Sequence, residues 1–202
     1  MGKVTVIIPY VKDRGWLKDA IDSVPSDVQL ILSKGKGNVS VNLNRALRQA
    51  EGEFIKYLDE DDMLTENCIE DSLRTFSEQG CDFIHGNAIN LHMAGKHGRM
   101  ESYIPEIKYP TLHDMIVKNV IHGGTLMYRR EVFDRVGYYD ESLQWSEEVD
   151  FNMRCLKAGL KIGYCDSFLY YYHRHEGQKS LGANANQQLR EKNRQMIKNR
   201  YR

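Results

Sequence analysis

Phe54-Ile55-Lys56-Tyr57-Leu58-Asp59-Glu60-Asp61-Asp62 is a short apolar run, strand-like in character, that ends in four consecutive acids. A carboxylate is expensive to bury unless it is paired or holds a cation. Acids at the end of a buried strand therefore mark either a surface turn that caps the next helix or a metal site. The stretch alone leaves both readings open, and its neighbours decide between them.

Upstream, Val4-Thr5-Val6-Ile7-Ile8 is a β-branched run closed by Pro9 and Tyr10, which predicts a buried central strand. The polar turn Lys12-Asp13-Arg14-Gly15 follows, then a helix with Leu17, Ala20, Ile21 and Val24 on one face. Val28 to Leu32 is a second apolar strand, and Ser33 to Asn38 a basic, glycine-containing loop. Leu43, Ala46, Leu47 and Ala50 then form a helical stripe that ends at Gly52. Such strand–helix alternation predicts βαβ units and a parallel sheet. In such sheets ligands bind beyond the carboxyl ends of the strands. Pro9-Tyr10, the Ser33 loop and Asp59–Asp62 all fall on that one edge.

Downstream, Thr65 is a candidate cap for a helix with Ile69, Leu73 and Phe76 on its face, stopped by Gly80. Cys81–Ile84 predicts a strand, and Ala88–His92 with Arg99–Ile104 a hairpin about Gly95-Lys96-His97-Gly98. His85, His92 and His97 match no ligand spacing. Thr111-Leu112-His113-Asp114 has the form of a capping box. Ile121-His122-Gly123-Gly124-Thr125 is a loop where backbone can approach a ligand closely. A second acidic cluster, Glu147-Glu148-Val149-Asp150, opens a helix with Ser146 as candidate cap, and acids in a first turn also suit the helix dipole. Lys161–Cys165 and Phe168–Tyr172 predict late strands, and His173–Ser180 a polar loop.

The chain has 202 residues, 41% of them hydrophobic, enough for one domain with a sizeable core. Lys+Arg and Asp+Glu both number 28, so no overall charge points to nucleic acid or a membrane surface. The tail is the exception: Arg190, Lys192, Arg194, Lys198, Arg200 and Arg202 face only Glu191, on a helix-prone segment whose apolar stripe is Ala185, Leu189 and Met196. It is expected to dock, mediate self-association or fray. Cys68, Cys81, Cys155 and Cys165 form no CxxC pair and read as free core thiols of a reducing cytosol. Neither a signal peptide nor a run of transmembrane length is present. A cytoplasmic protein is expected, with residues 1–182 as one domain and 183–202 as a polar, basic helix or tail.

Three blocks in fixed order carry a resemblance: Val4 to Tyr10; Gly52 to Leu64; and Tyr128 to Phe133 continuing through Val136-Gly137-Tyr138-Tyr139-Asp140 to Glu147–Phe151 and Arg154. Together they resemble the family-two glycosyltransferases. That resemblance implies an α/β GT-A (Rossmann-like) fold: a central, mostly parallel sheet flanked by helices, with a small antiparallel hairpin and the C-terminal helix. It implies an inverting, metal-dependent transfer of a sugar from a nucleotide-diphosphate donor to an acceptor hydroxyl. The metal ligands would be Asp59, Asp61 and His175, with Mn²⁺ or Mg²⁺ as cofactor, because hard cations take oxygen ligands. Asp62 would be a supporting residue. The donor side would comprise Pro9, Tyr10, Ser33, Asn44, Asp59, Glu60, Asp61, Arg174 and Lys179. The acceptor side would comprise His122, Gly123, Gly124, Trp145 and Glu147. Glu148 aligns with the family's catalytic base, with Asp150 as fallback; Glu replaces the usual Asp there.

Tyr172 to Ser180 resembles the family's Y-R-x-H-x-G-x-x-S loop, with His173 in place of the Arg. One motif departs: Leu32-Ser33-Lys34-Gly35 stands where the family carries the acid that reads the nucleotide base. A UDP-sugar remains the first donor to expect, with weaker support. The acceptor is expected to be a glycan or another small soluble molecule. Alternatives are a modified nucleic-acid base, as in small phage-type glycosyltransferases, a nucleotidyltransferase, or a non-catalytic sugar-nucleotide-binding module. Self-association would run through the C-terminal helix.

Overall fold

A computed structural model describes residues 3–35, 37–92, 98–143, 145–176, 178 and 187–201. The elements in chain order are β1 (Val4–Tyr10), α1 (Leu17–Asp22), β2 (Gln29–Lys34), α2 (Val39–Leu47), β3 (Phe54–Tyr57), β4 (Met63–Leu64), α3 (Cys68–Gln79), β5 (Phe83–His92) and β6 (Arg99–Tyr103). There follow α4 (Leu112–Val117), a 3₁₀ turn (Gly123–Thr125), β7 (Met127–Arg129), α5 (Glu131–Val136), α6 (Glu147–Lys157), β8 (Ile162–Arg174) and α7 (Gln187–Tyr201).

The sheet runs β2-β1-β3-β7-β5-β8-β4, with β6 on β5. β1 pairs parallel with β2 and β3, and β5 pairs parallel with β8, so most of the paired length is parallel. β7 is inserted antiparallel between β3 and β5. The hairpin of β5 and β6 is antiparallel as expected, and its expected tip at 95–97 lies outside the described residues.

Alternation along β3 sends Phe54 and Ile55 into different cores. Phe54 joins Val6, Ile8, Ala20 and Phe76 beneath α1 and α3. Ile55 joins Leu43, Met115, Phe133, Phe151 and Ile197 beneath α2 and α4–α7. Strands buried on both faces explain the unbroken apolar runs. In the second core Phe151 stacks on Tyr139 and Phe133 at 4.7 and 4.8 Å. Each such pair contributes about 1 kcal/mol beyond area burial, and together they pin the first turns of α6.

Three expectations are corrected. Asn67, not Thr65, takes the N-cap position of α3, while the Thr65 hydroxyl donates to the Phe168 carbonyl at 2.6 Å. Ser146 sits at the N-cap of α6 with φ 64° and makes no side-chain cap, so the first-turn acids supply the negative charge there. The two strands expected near Cys81 and Ala88 are one, as are the two late strands, because a bulge at Gly86–Ala88 against Cys165–Tyr170 interrupts the pattern without ending the pairing. The Thr111–Asp114 capping box is formed, and Gly80 closes α3 at φ 55°.

The buried face of α7 is Asn193 and Ile197, with Tyr201 packed beside them, rather than the Leu189–Met196 stripe, and this face docks on α6. The four cysteines are buried and unbridged. Among the described residues no helix is long and apolar enough to cross a membrane.

Candidate active site

The register of β1 with β2 sets Pro9 beside Ser33 and Tyr10 beside Lys34, and the Leu58 amide donates to Ile7. The Asp59–Asp62 turn thus leaves the sheet on the same edge as Pro9 and Ser33. β4 then pairs with β8, Met63 opposite Tyr171, which carries the end of β8 over the acids. Asp62, 1% exposed, accepts the Tyr170 hydroxyl at 2.6 Å and the His173 amide at 2.7 Å. Burial, reinforced by Asp59 and Asp61, pushes its pKa well above the usual range. Asp62 is therefore a post between the turn and β8.

Asp61 Oδ2 meets His175 Nε2 at 3.1 Å and Arg14 Nη2 at 3.4 Å, while its carbonyl is 2.6 Å from His173 Nδ1. Glu60 Oε1 accepts Arg14 Nε at 2.8 Å; its other oxygen is buried with no hydrogen-bond partner among the described residues. Burial raises the Glu60 pKa and Arg14 opposes the rise. Trp16 stacks on His175 and leans on His173, ring centres 5.3 and 5.1 Å away. Gln178 donates to the His173 carbonyl.

No three His, Cys, Asp or Glu side chains converge as a metal cage among the described residues. Among the described residues Asp59 forms no three-ligand group with Asp61 and His175, and its charge acts on Asp62, Tyr170 and Lys56. The Asp61–His175 pair nevertheless fits a small hard cation, which binds through one or two protein groups and completes its shell with substrate phosphates and water.

Two expected donor contacts are otherwise engaged. The Ser33 hydroxyl donates to the Asn42 carbonyl at 2.7 Å and accepts from Arg45 at 3.0 Å, so it has no hydrogen left for a base. Asn44 is buried, donating to the Tyr139 carbonyl and Glu141, both at 2.9 Å, and accepting the Tyr139 amide at 3.0 Å. It clasps α2 to the 139–141 segment and is not presented to a ligand. Lys179 lies outside the described residues. Arg174 is on the other face of β8 from His173, its guanidinium 5.4 Å from the centre of the Tyr172 ring.

That face leads to the acceptor-side residues. A Cβ on Gly124 would fall 2.2 Å from the Tyr170 ring, so only glycine fits. A Cβ on Gly123 would touch Glu148 Cγ at 3.4 Å, which sets Glu148 against the turn. His122 is ringed by Tyr172, Tyr103 and Tyr170 at 5.1, 5.3 and 5.8 Å. Burial, with the charges of Lys56 and Arg174, lowers its pKa to about 4, so it is neutral at pH 7.

Glu148 is half-buried. Burial raises its pKa, opposed by the Glu148 and Val149 amides at the start of α6 and by Arg190 and Arg194 of α7. Glu147 opens the same helix, and the Trp145 carbonyl accepts from Asn193 at 3.2 Å. Asp150, the fallback base, is corrected: at 1% exposure it is bound by Arg154 and Arg200, each at 3.0 Å, and by the Tyr201 hydroxyl. It locks α7 to α6 and cannot meet an acceptor.

Arg14 and Trp16 were hidden in sequence inside an ordinary polar turn; their one signal is that they follow β1 onto the ligand edge. Arg45 carried no signal, because its role rests on reaching back from α2 to Ser33 and Lys34.

The family model for glycosyl transferase family 2 matches residues 13–137. The O-antigen chain rhamnosyltransferase WbaN of Salmonella anatum is 27% identical over 145 residues, covering 67% of this chain and 46% of the relative. The poly(ribitol-phosphate) β-N-acetylglucosaminyltransferase TarS of Staphylococcus aureus is 26% identical over 148 residues, covering 70% of this chain and 24% of TarS. The chain thus spans less than half the length of these relatives. The crystal structure of S. aureus TarS 1–349 in complex with UDP-GlcNAc superposes with a TM-score of 0.68 at 20% identity, covering 87% of this chain and 60% of that one. The α/β fold is the one expected, and with the match over more than half its length the chain belongs to glycosyl transferase family 2.

Proposed function

We propose that the protein transfers a sugar from a nucleoside-diphosphate donor to an acceptor hydroxyl, with inversion at the sugar carbon. The observation that supports this is that Tyr170 links the two carboxylate regions: its hydroxyl binds Asp62, next to the Asp61–His175 pair, and its ring fills the space beside Gly124, in the turn whose Gly123 lies against Glu148. Glu148 takes the acceptor hydroxyl proton as that oxygen attacks the sugar carbon. The new carbon–oxygen bond forms as the bond to phosphate breaks, and the electron pair leaves with the diphosphate. Because burial raises its pKa, Glu148 is a stronger base than a solvated glutamate. Mn²⁺ or Mg²⁺ held by Asp61 and His175 would offset the charge that gathers on the leaving diphosphate. Arg14, bonded to Glu60 and Asp61, and Arg174, on the opposite face of β8 from His173, would be further cations for phosphate. Asp59 and Tyr10 remain donor contacts in this reading, and the His122 ring cluster with Trp145 and Glu147 the acceptor wall.

A UDP-sugar is the first donor to test, because the structural neighbour was crystallised with UDP-GlcNAc. The acceptor class this reading favours is a glycan or polyol chain, in line with the printed activities of WbaN and TarS. Four buried, unbridged cysteines suit a reducing compartment, and a cytoplasmic setting belongs to the same proposal.

The test is a panel of nucleotide sugars with and without Mn²⁺, read by thermal shift and by release of nucleoside diphosphate. A cation-dependent shift with slow donor hydrolysis supports the proposal, since a ligand of the folded state raises its apparent stability. Release of pyrophosphate instead would make the protein a nucleotidyltransferase. Binding without any turnover would leave a sugar-nucleotide-binding module.

A further inference from the structure

Lys56 is the only charged side chain of β3, and it is 0% exposed. It shares the face of Phe54 and Leu58, in the middle of the core under α1 and α3. A lysine there is costly unless its ammonium is fully occupied. It is occupied by backbone: Nζ donates to the Gly124 carbonyl at 2.5 Å and the Leu126 carbonyl at 3.2 Å, and lies 5.5 Å from the centre of the Tyr170 ring. Both carbonyls belong to the turn that carries Gly123 against Glu148. Thr125 holds the same turn from the opposite side, its hydroxyl donating to the His122 carbonyl at 2.8 Å and accepting the Gly86 amide at 3.1 Å. Tyr170 closes the circuit, since its ring fills the space a Gly124 side chain would need and its hydroxyl binds Asp62.

We infer that Lys56 is a positioning residue for transfer: a buried cation that ties the His122–Leu126 turn to β3, so that the strand ending in the donor acids also sets the place of the acceptor wall and of Glu148. This rests on the function proposed above and adds a residue that touches neither donor nor acceptor. Two of its consequences differ from those of a residue that only stabilises the fold. The coupling acts on transfer and not on donor binding, because the Asp61 and His175 side chains are held by each other, by Arg14 and by Trp16, through contacts that do not run through Lys56. The charge of Lys56 also bears on His122, together with that of Arg174, whereas Asp59 acts on Lys56 itself with the opposite sign.

The experiment compares wild type with Lys56→Met, which keeps the length and removes the donor. The readouts are donor affinity by thermal shift, the ratio of acceptor transfer to donor hydrolysis, and the His122 pKa by NMR titration. The expected result is unchanged donor affinity, a fall of about a hundredfold in the transfer-to-hydrolysis ratio, as an ångström-scale misplacement gives, and a His122 pKa above the wild-type value of about 4. Transfer and hydrolysis falling together with the folded fraction, or an unmoved His122, would overturn it. If Lys56→Met does not fold, Thr125→Val cuts the other anchor of the turn, and an unchanged ratio there overturns the inference equally. Wild-type protein that neither binds nor hydrolyses any donor would refute the proposed function instead, and the His122 titration would still test the tie.

Discussion

The two carboxylate regions differ in how their charge is answered. At the end of β3 each acid seen in contact is already met: Glu60 by Arg14, Asp61 by His175 and Arg14, Asp62 by Tyr170 and the His173 amide. Beyond Tyr170, Glu148 sits half-buried against a glycine turn, met by the amides that open α6 and by the charges of Arg190 and Arg194. The first arrangement suits holding charge, because prearranged cations and dipoles need no reorganisation when a diphosphate departs. The second suits moving a proton, because no cation is hydrogen-bonded to Glu148 among the described residues, and burial makes it hold a proton more readily than a solvated glutamate. In the proposed reaction, separating the two tasks would keep Arg14 and the cation at Asp61 from depressing the base.

The largest break in this comparison is Glu148→Gln, which is expected to lower transfer about a thousandfold, in the range of a lost general base, with donor affinity unchanged in a thermal-shift titration. Asp61→Asn comes next: about a hundredfold in transfer, with loss of the Mn²⁺-dependent part of donor binding. Arg14→Gln removes one cation of several, and about tenfold in donor kcat/KM is expected, seen in steady-state kinetics.

The pH profile sharpens the contrast. Glu148 must be ionised to act, and burial raises its pKa, so kcat is expected to rise with pH through a value above the ordinary glutamate 4.5. The same shift means the folded protein holds that proton more tightly. Its stabilising contribution is full below the unfolded pKa and lost as pH rises through the raised one. His122 runs the other way: its contribution is present above 6.5 and lost as pH falls through about 4. The smallest effect on turnover belongs to Asp150→Ala, expected to cost about 2 kcal/mol in denaturant unfolding by stripping Arg154 and Arg200 of their partner, while the folded fraction keeps its kcat.

Much of this was legible because it is local. A β-branched run closed by Pro9, an apolar run closed by acids and the helical stripes between them gave the layered α/β sheet and the ligand edge. Glu148 was singled out through the order of blocks, His175 through the Tyr172–Ser180 loop, and Gly123–Gly124 through what glycine permits. What escaped depends on partners distant in sequence. Asn44 is spoken for by Tyr139, Ser33 by Arg45, and Asp150 by Arg200, fifty residues later. β5 and β8 each read as two strands because a bulge breaks an alternation that hydrogen bonding carries through. Lys56 did give a local sign, a lone cation within Phe54–Leu58, but its meaning needed the Gly124 and Leu126 carbonyls on the neighbouring strand's approach.

The division of labour between the two regions is tested most directly by one titration: the Mn²⁺-dependent thermal shift given by a UDP-sugar in Glu148→Gln and Asp61→Asn side by side. A wild-type shift is expected in Glu148→Gln and none from the cation in Asp61→Asn. Equal loss of the shift in both variants, or its loss in Glu148→Gln alone, would contradict it.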